Sequence, residues 1–297
     1  MKETREFLKS IGLPEGDRYD LPDSEKRFPD GGQYRFEVPG IQNPSSMKAL
    51  LEQIDDYGFY IHRITQTKGI MTLTDDEISE MVSLADKYKV QLILAIGPRA
   101  TTDTSASVHT TEGVRMGYRL RGQEQVIRAI EDVRRAAALG CRSFLVYDEG
   151  CLYVLAKART AGLIPADCKF KLSAHAGAAN PCSAKLFEEI GLDSLNPVRD
   201  IQLQMLSAIR QAIDIPIDIH TENPVSSGGF IRHYEVPEMI RIAAPIYLKT
   251  GGSVAKTHSW DTTVAEAKAR AKQVMLVKRV IDNYYSDAVY SAAGAIE

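Results

Sequence analysis

Apolar residues recur along this chain with two different spacings, and the two alternate. Short runs rich in β-branched and aromatic residues occupy 34–38, 61–65, 90–96, 143–147, 170–174, 194–198, 215–221 and 246–249. Between them, at 46–57, 75–89, 123–139, 151–161, 181–190 and 201–213, apolar positions return every three or four residues. The first spacing is that of strands and the second that of one helix face. A short helix at 237–242 precedes the last strand, and an amphipathic helix at 264–284 follows it. Strands alternating with helices across short connections pair in parallel through right-handed crossovers. Eight such units predict an α/β fold, a (β/α)8 TIM barrel. The barrel domain spans 33–297, with 1–32 as an N-terminal arm and 264–284 as a C-terminal closing helix.

Helix punctuation agrees with this reading. Asn43-Pro44, Asn180-Pro181, Asn196-Pro197 and Asn223-Pro224 place a capping side chain before a proline suited to the first helical turn. Thr74 and Glu77 have the spacing of a capping box. Gly58, Gly140, Gly162 and Gly191 sit where helices should stop. Pro197 interrupts the sixth strand. The longest irregular stretch, 97–122, follows strand three, and loops of that length are usually functional.

Polar residues inside the strand runs carry the candidate chemistry. In a barrel one strand face packs on helices and the other points inward, with catalytic groups at the C-terminal ends. In the seventh run Ile217 and Ile219 take the helix side, so Asp218, His220 and Glu222 point inward. The same alternation turns Lys171, Ser173 and His175 inward from the fifth run, Arg35 and Glu37 from the first, and Tyr247 and Lys249 from the eighth. At the end of the fourth run either Asp148 or Glu149 faces in. Buried charges need compensation, because desolvation costs several kcal/mol per ion. The deeper layer is therefore expected to be an ion network in which Arg35, Lys171 and Lys249 balance Glu37, Asp218 and Glu222.

The upper layer admits three chemistries. His175, His220 and Glu222 suit a divalent cation such as Zn, Mn or Fe, with Glu149 completing the site or acting as base. Alternatively Lys249, desolvated at the end of strand eight, forms a Schiff base with a carbonyl, with His220 and Glu222 as proton carriers; the plain alternative is a salt bridge to Glu222 or Glu37. Third, the Gly251-Gly252 and Ser226–Gly229 turns follow the last two strands, where barrels often bind oxyanions. Arg99, Arg115, Arg119 and Arg121 add positive charge in the long loop. Arg99, Glu37, Lys171, Gly251 and Gly252 are accordingly the candidate substrate contacts, and Glu149, Lys249 and Glu222 the candidate catalytic groups. Cys141 and Cys168 precede strands and suggest packing, whereas Cys151 and Cys182 follow strands and could act as nucleophiles near His175. His62, His109, His233 and His258 fall on loops or strand starts and are expected at the surface.

Composition narrows the classes. The chain has 297 residues, 44% hydrophobic and 25% charged, enough to bury a sizeable core without disulfide staples. A net charge of −3 argues against nucleic acid or an anionic membrane surface as partner. The four cysteines form no CxxC pair, the start lacks an apolar signal core, and no apolar run reaches spanning length, so a cytoplasmic location is expected. The reading is an enzyme acting on a small anionic, oxygen-rich substrate by lyase, isomerase or hydrolase chemistry. A non-catalytic subunit or binding module is the contrasting class. The arm and closing helix offer surfaces for a homo-oligomer.

The runs "RSFLVYDEG" and "KFKLSAHAGAANPCSAKLFEEIGLDSLN" resemble the barrel proteins labelled U32 peptidases, over roughly 140–250. The resemblance implies the barrel and, as a further alternative, a peptidase or hydrolase activity. That family's cysteine-rich signature, which holds an iron–sulfur cluster in several members, has no counterpart here.

Overall fold

The computed structural model describes residues 1–11, 20–98, 110, 117–255 and 261–296. Its parallel strands are β1 (Tyr34–Pro39), β2 (Arg63–Gln66), β3 (Gln91–Ala95), β4 (Ser143–Val146), β5 (Lys169–Leu172), β6 (Ile217–His220) and β7 (Ile246–Lys249). They form one curled sheet in the order β5-β4-β3-β2-β1-β7-β6. Helices α1 (Lys2–Ser10), α2 (Pro44–Asp56), α3 (Asp75–Tyr88), α4 (Gly122–Ala138), α5 (Glu149–Thr160), α6 (Pro181–Ile190), α7 (Leu203–Ala212), α8 (Val236–Ala243) and α9 (Val264–Tyr284) complete the described elements. The architecture is an α/β barrel-like fold.

One expected strand is nearly missing. Between β5 and β6 only Ser194 and Leu195 bridge, to Lys171 and Ile217 respectively. Leu172 donates its N–H to Ser194 O at 2.9 Å, and Asp218 donates to Leu195 O at 2.7 Å. Pro197 has no N–H to extend the ladder. Asn196 instead gives its side-chain amide to Asp218 O at 2.8 Å. The predicted sixth strand at 194–198 is thus reduced to two residues.

Period-2 alternation sorts the strand residues by face. Phe36, Val38, Ile64, Leu94, Phe144, Phe170, Leu172, Ile217, Ile219 and Leu248 are buried in one hydrophobic cluster with the helices. Each such side chain contributes about 1.5–3 kcal/mol on burial. The opposite faces carry Glu37, Arg63, Thr65, Lys171, Asp218 and Lys249, all buried and in contact with one another.

The capping signals hold unevenly. Thr74 with Glu77, and Asn43 with Ser46, form capping boxes at α3 and α2. Asn180 accepts from Ser183 N–H and precedes Pro181 at the start of α6, which ends on Gly191 at φ 110°. Two Asn-Pro pairs do not start helices. α7 begins only at Leu203, and Pro224 leads into a single 3-10 turn over Val225–Ser227.

The end of the sheet that β1 enters is sealed. Gln33 N–H reaches Val289 O at 2.7 Å, and Ser291 N–H reaches Tyr34 O at 3.2 Å. Tyr290 stacks on Tyr34 and on Tyr60, each at 4.8 Å between ring centroids. Arg35 bonds Tyr247 Oη at 2.9 Å and Ser291 Oγ at 3.0 Å, over the Phe28 ring. His62, expected at the surface, is fully buried in this plug, with Nε2 3.2 Å from Ala292 O. From the arm, Ser24 N–H binds Arg241 O at 2.8 Å, whereas α1 buries no side chain. The closing helix α9 matches its predicted span and packs on α2 and α8.

Candidate functional site

Two polar layers occupy the strand faces opposite the helices. The lower is an ion cluster. Glu37 on β1 takes a close bond from Lys171 on β5, and Lys171 also lies 3.3 Å from Asp218 on β6. Arg63 on β2 reaches Asp218 at 2.6 Å and Glu37 at 3.7 Å. Its remaining donors go to Gln91 Oε1 at 2.7 Å and Ser194 Oγ at 3.1 Å, and its guanidinium lies 3.3 Å from the Tyr247 ring centroid. Thr65 Oγ1 donates to Glu37 at 2.8 Å, and Ser194 Oγ donates to Asp218. Burial alone would raise the Glu37 carboxyl, but Lys171, Lys249 and Arg63 outweigh it and hold it below the ordinary range.

This is the network expected from the sequence, with three changes, one being that Glu222 is not part of it. Arg63 is a central cation that the strand alternation at 61–65 left unassigned. Arg35 belongs instead to the plug, 3.5 Å from Asp30. Glu37 and Lys171, expected as substrate contacts, are committed to each other.

The upper layer lies at the C-terminal ends of the strands, where barrels do their chemistry. Lys249 ends β7 and donates to Asn196 Oδ1 at 3.0 Å, with Glu37 Oε1 at 3.6 Å. Burial first, and then the positive charge of Lys171, lowers its amine from the ordinary lysine range to about 7. His220 ends β6 and pairs in register with Lys249. It is 7% exposed, and among the described residues neither ring nitrogen has a hydrogen-bond partner. Burial, followed by Lys249, Arg199 and Lys171, pushes this imidazole well below the ordinary histidine range. His175 sits in a 3-10 turn just past β5, not within a strand. Its ring stacks on Tyr118 at 3.6 Å between centroids, and its Nε2 is 2.6 Å from Arg199 Nη2. A guanidinium only donates, so His175 Nε2 is the acceptor of that bond.

Several expected residues lie elsewhere. Glu222 lies two residues past β6, bridged to Ile231. It accepts from Gly251 N–H, from Ser253 Oγ at 2.6 Å, and lies 3.3 Å from His233. The backbone N–H of Gly251, expected to bind a substrate oxyanion, therefore already holds a carboxylate of the chain itself. Gly252 backs onto Glu222 O, which a Cβ there would approach to 3.1 Å. His233, expected at the surface, is a half-buried partner of Glu222, its side chain 11% exposed. Glu149 does not face the sheet interior: it opens α5 on the surface and pairs with Arg119, while Asp148 caps the helix by accepting from Cys151 N–H. Cys141, Cys151 and Cys168 are buried, and burial pushes the Cys151 thiol up to about 12, which leaves little thiolate for attack. Cys182 is exposed on α6. Arg99, Arg115, His109 and His258 lie outside the described residues.

These positions bear on the divalent-cation expectation. Among the described residues no group of three or more His, Cys, Asp or Glu side chains has metal-ligating spacing. His175 offers Nε2 to a guanidinium, Glu222 is saturated in a different loop, and the charged groups acting on His220 are Lys249, Arg199 and Lys171. Cations around a single free imidazole repel a metal ion. Among the described residues, His175, His220 and Glu222 are not gathered into one ligand set for Zn, Mn or Fe.

No family model matches the chain, and no curated protein matches it. Solved structures resemble it in fold. One is a U32 peptidase, 18% identical with a TM-score of 0.41, covering 69% of this chain and 74% of that one. A native KDPGal structure is 13% identical with a TM-score of 0.49, covering 86% and 97%. Delta-aminolevulinic acid dehydratase from Toxoplasma gondii, with its product porphobilinogen, is 13% identical with a TM-score of 0.48, covering 91% and 90%. At these identities the likeness concerns fold alone. No helix among the described residues is long and apolar enough to cross a membrane.

Proposed function

We propose that this protein is a barrel enzyme of lyase type, acting on a small carbonyl-bearing acid through an imine on Lys249. The observation that carries this reading is the setting of the Lys249 amine. It is buried at the C-terminal end of β7, bonded to a neutral amide oxygen, and its nearest carboxylate is already shared with Lys171 and Arg63. An ammonium so placed is poorly compensated, which favours the neutral, nucleophilic amine near pH 7.

The chemistry follows from that amine. Its lone pair adds to the substrate carbonyl carbon, the carbon–oxygen bond breaks, and the oxygen leaves as water. Protonated on nitrogen, the imine withdraws electrons from the adjacent carbon–carbon or carbon–hydrogen bond, which supports cleavage or isomerisation. Arg199 and Lys171, both acting on His220, give this end of the sheet a positive bias suited to a carboxylate or phosphate on the substrate.

Reduction with borohydride in the presence of pyruvate, 2-oxobutyrate or 2-oxoglutarate tests the assignment. The expected result is one adduct per chain, mapped by mass spectrometry to Lys249 and lost in Lys249→Arg. Labelling of another lysine, or of none, would remove the imine.

A further inference from the structure

A buried imidazole with two idle nitrogens beside a reactive amine calls for an explanation. His220 is 7% exposed, and both its nitrogens lack hydrogen-bond partners among the described residues. A buried donor and acceptor left unmade are costly unless a ligand supplies what the protein does not. The surrounding polar groups are otherwise engaged. Asn196 spends its amide on Asp218 O and Pro197 O and its oxygen on Lys249. Glu37, Asp218, Thr65 and Ser194 bond within the lower cluster. Glu222 is tied to Gly251 and Ser253.

Register supplies the second observation. β6 and β7 pair so that His220 stands beside Lys249 on the same face of the sheet. Paired residues on neighbouring strands are about 5 Å apart. The largest electrostatic influences on the ring come from Lys249 on β7, Arg199 in the loop before α7, Lys171 on β5 and His175 in the turn after it, all of which disfavour an imidazolium. A neutral imidazole carries one donor and one acceptor, as a proton carrier must.

We infer that His220 carries protons between the Lys249 amine and the substrate carbonyl oxygen during imine formation. The inference rests on the imine reading above. As nitrogen adds to the carbonyl carbon, the π pair moves to oxygen. His220 takes a proton from nitrogen and delivers it to that oxygen, giving the carbinolamine. A second proton follows the same route as the carbon–oxygen bond breaks. One neutral imine and one water result, and the imidazole returns to its starting state.

The rate of cyanoborohydride-trapped adduct on Lys249, read by mass with pyruvate as probe and the full chain, tests this. His220→Gln fills similar space but cannot relay a proton, and is expected to slow trapping by about 100-fold, in the range of general acid–base effects. His220→Ala is expected to regain rate with added imidazole, and substituted imidazoles are expected to rescue in proportion to their basicity. A purely structural His220 would show no such dependence. Trapping in His220→Gln at the wild-type rate, or no rescue of a folded His220→Ala, overturns the proton role while leaving the imine intact. Absence of a Lys249 adduct in the wild-type protein removes both.

Discussion

The two polar layers differ in one respect that separates structure from chemistry. In the lower layer every charge has an opposite partner: Glu37 and Asp218 face Arg63 and Lys171, with Thr65, Ser194 and Gln91 taking the remaining bonds. In the upper layer Lys249 has a neutral amide and a carboxylate, Glu37 at 3.6 Å, that it shares with Lys171 and Arg63, and among the described residues His220 has no hydrogen bond. Lys249 and His220 are buried as the lower charges are, so burial alone does not mark a reactive group. What marks it is burial with little compensation, because the protein then carries a desolvation cost that a substrate can relieve.

The comparison breaks first in the lower layer. Arg63→Ala removes the cation from two buried carboxylates and is expected to cost about 3–5 kcal/mol, measured by urea unfolding. A loss under about 1 kcal/mol would mean that this layer is not the closed network described.

An intermediate effect of opposite sign is expected above it. The Lys249 amine titrates near 7 when folded and near its ordinary value of 10.5 when unfolded. Between these values the unfolded chain binds more protons, so this group's contribution to stability rises with pH and is least favourable below 7. Lys249→Met is therefore expected to stabilise the fold by about 2 kcal/mol at pH 6, in line with apolar replacement of buried ions. That advantage should shrink towards pH 10, as thermal melts across the range would reveal. A constant difference would contradict the lowered amine.

The smallest effect is expected outside both layers. Glu149→Ala breaks only the exposed pair with Arg119, and should change stability by less than about 1 kcal/mol with Lys249 trapping unchanged. A large loss of trapping would restore Glu149 to the site.

Much of the site was legible because strand alternation is a local rule. It placed Asp218, His220, Lys171, Glu37 and Lys249 on the inner face, and contacts among them bear that out. It failed beyond strand ends, where the period of two lapses. Glu222, one turn past β6, swings to Gly251, and Glu149 enters a helix. Arg63 was hidden because Ile61, His62 and Ile64 around it leave either face apolar enough to be buried. Arg199 lies in an irregular loop with no pattern to announce it, and only its approach to His175 at 2.6 Å reveals its role.

By itself the sequence determined the alternation of strands and helices, the helix-facing apolar set and the inward polar set, since each depends on neighbours two to four residues away. The tertiary structure alone decided which inward charges neutralise one another and which stand idle. Pairing joins residues more than a hundred positions apart, as Glu37 with Lys171, and no local spacing records it.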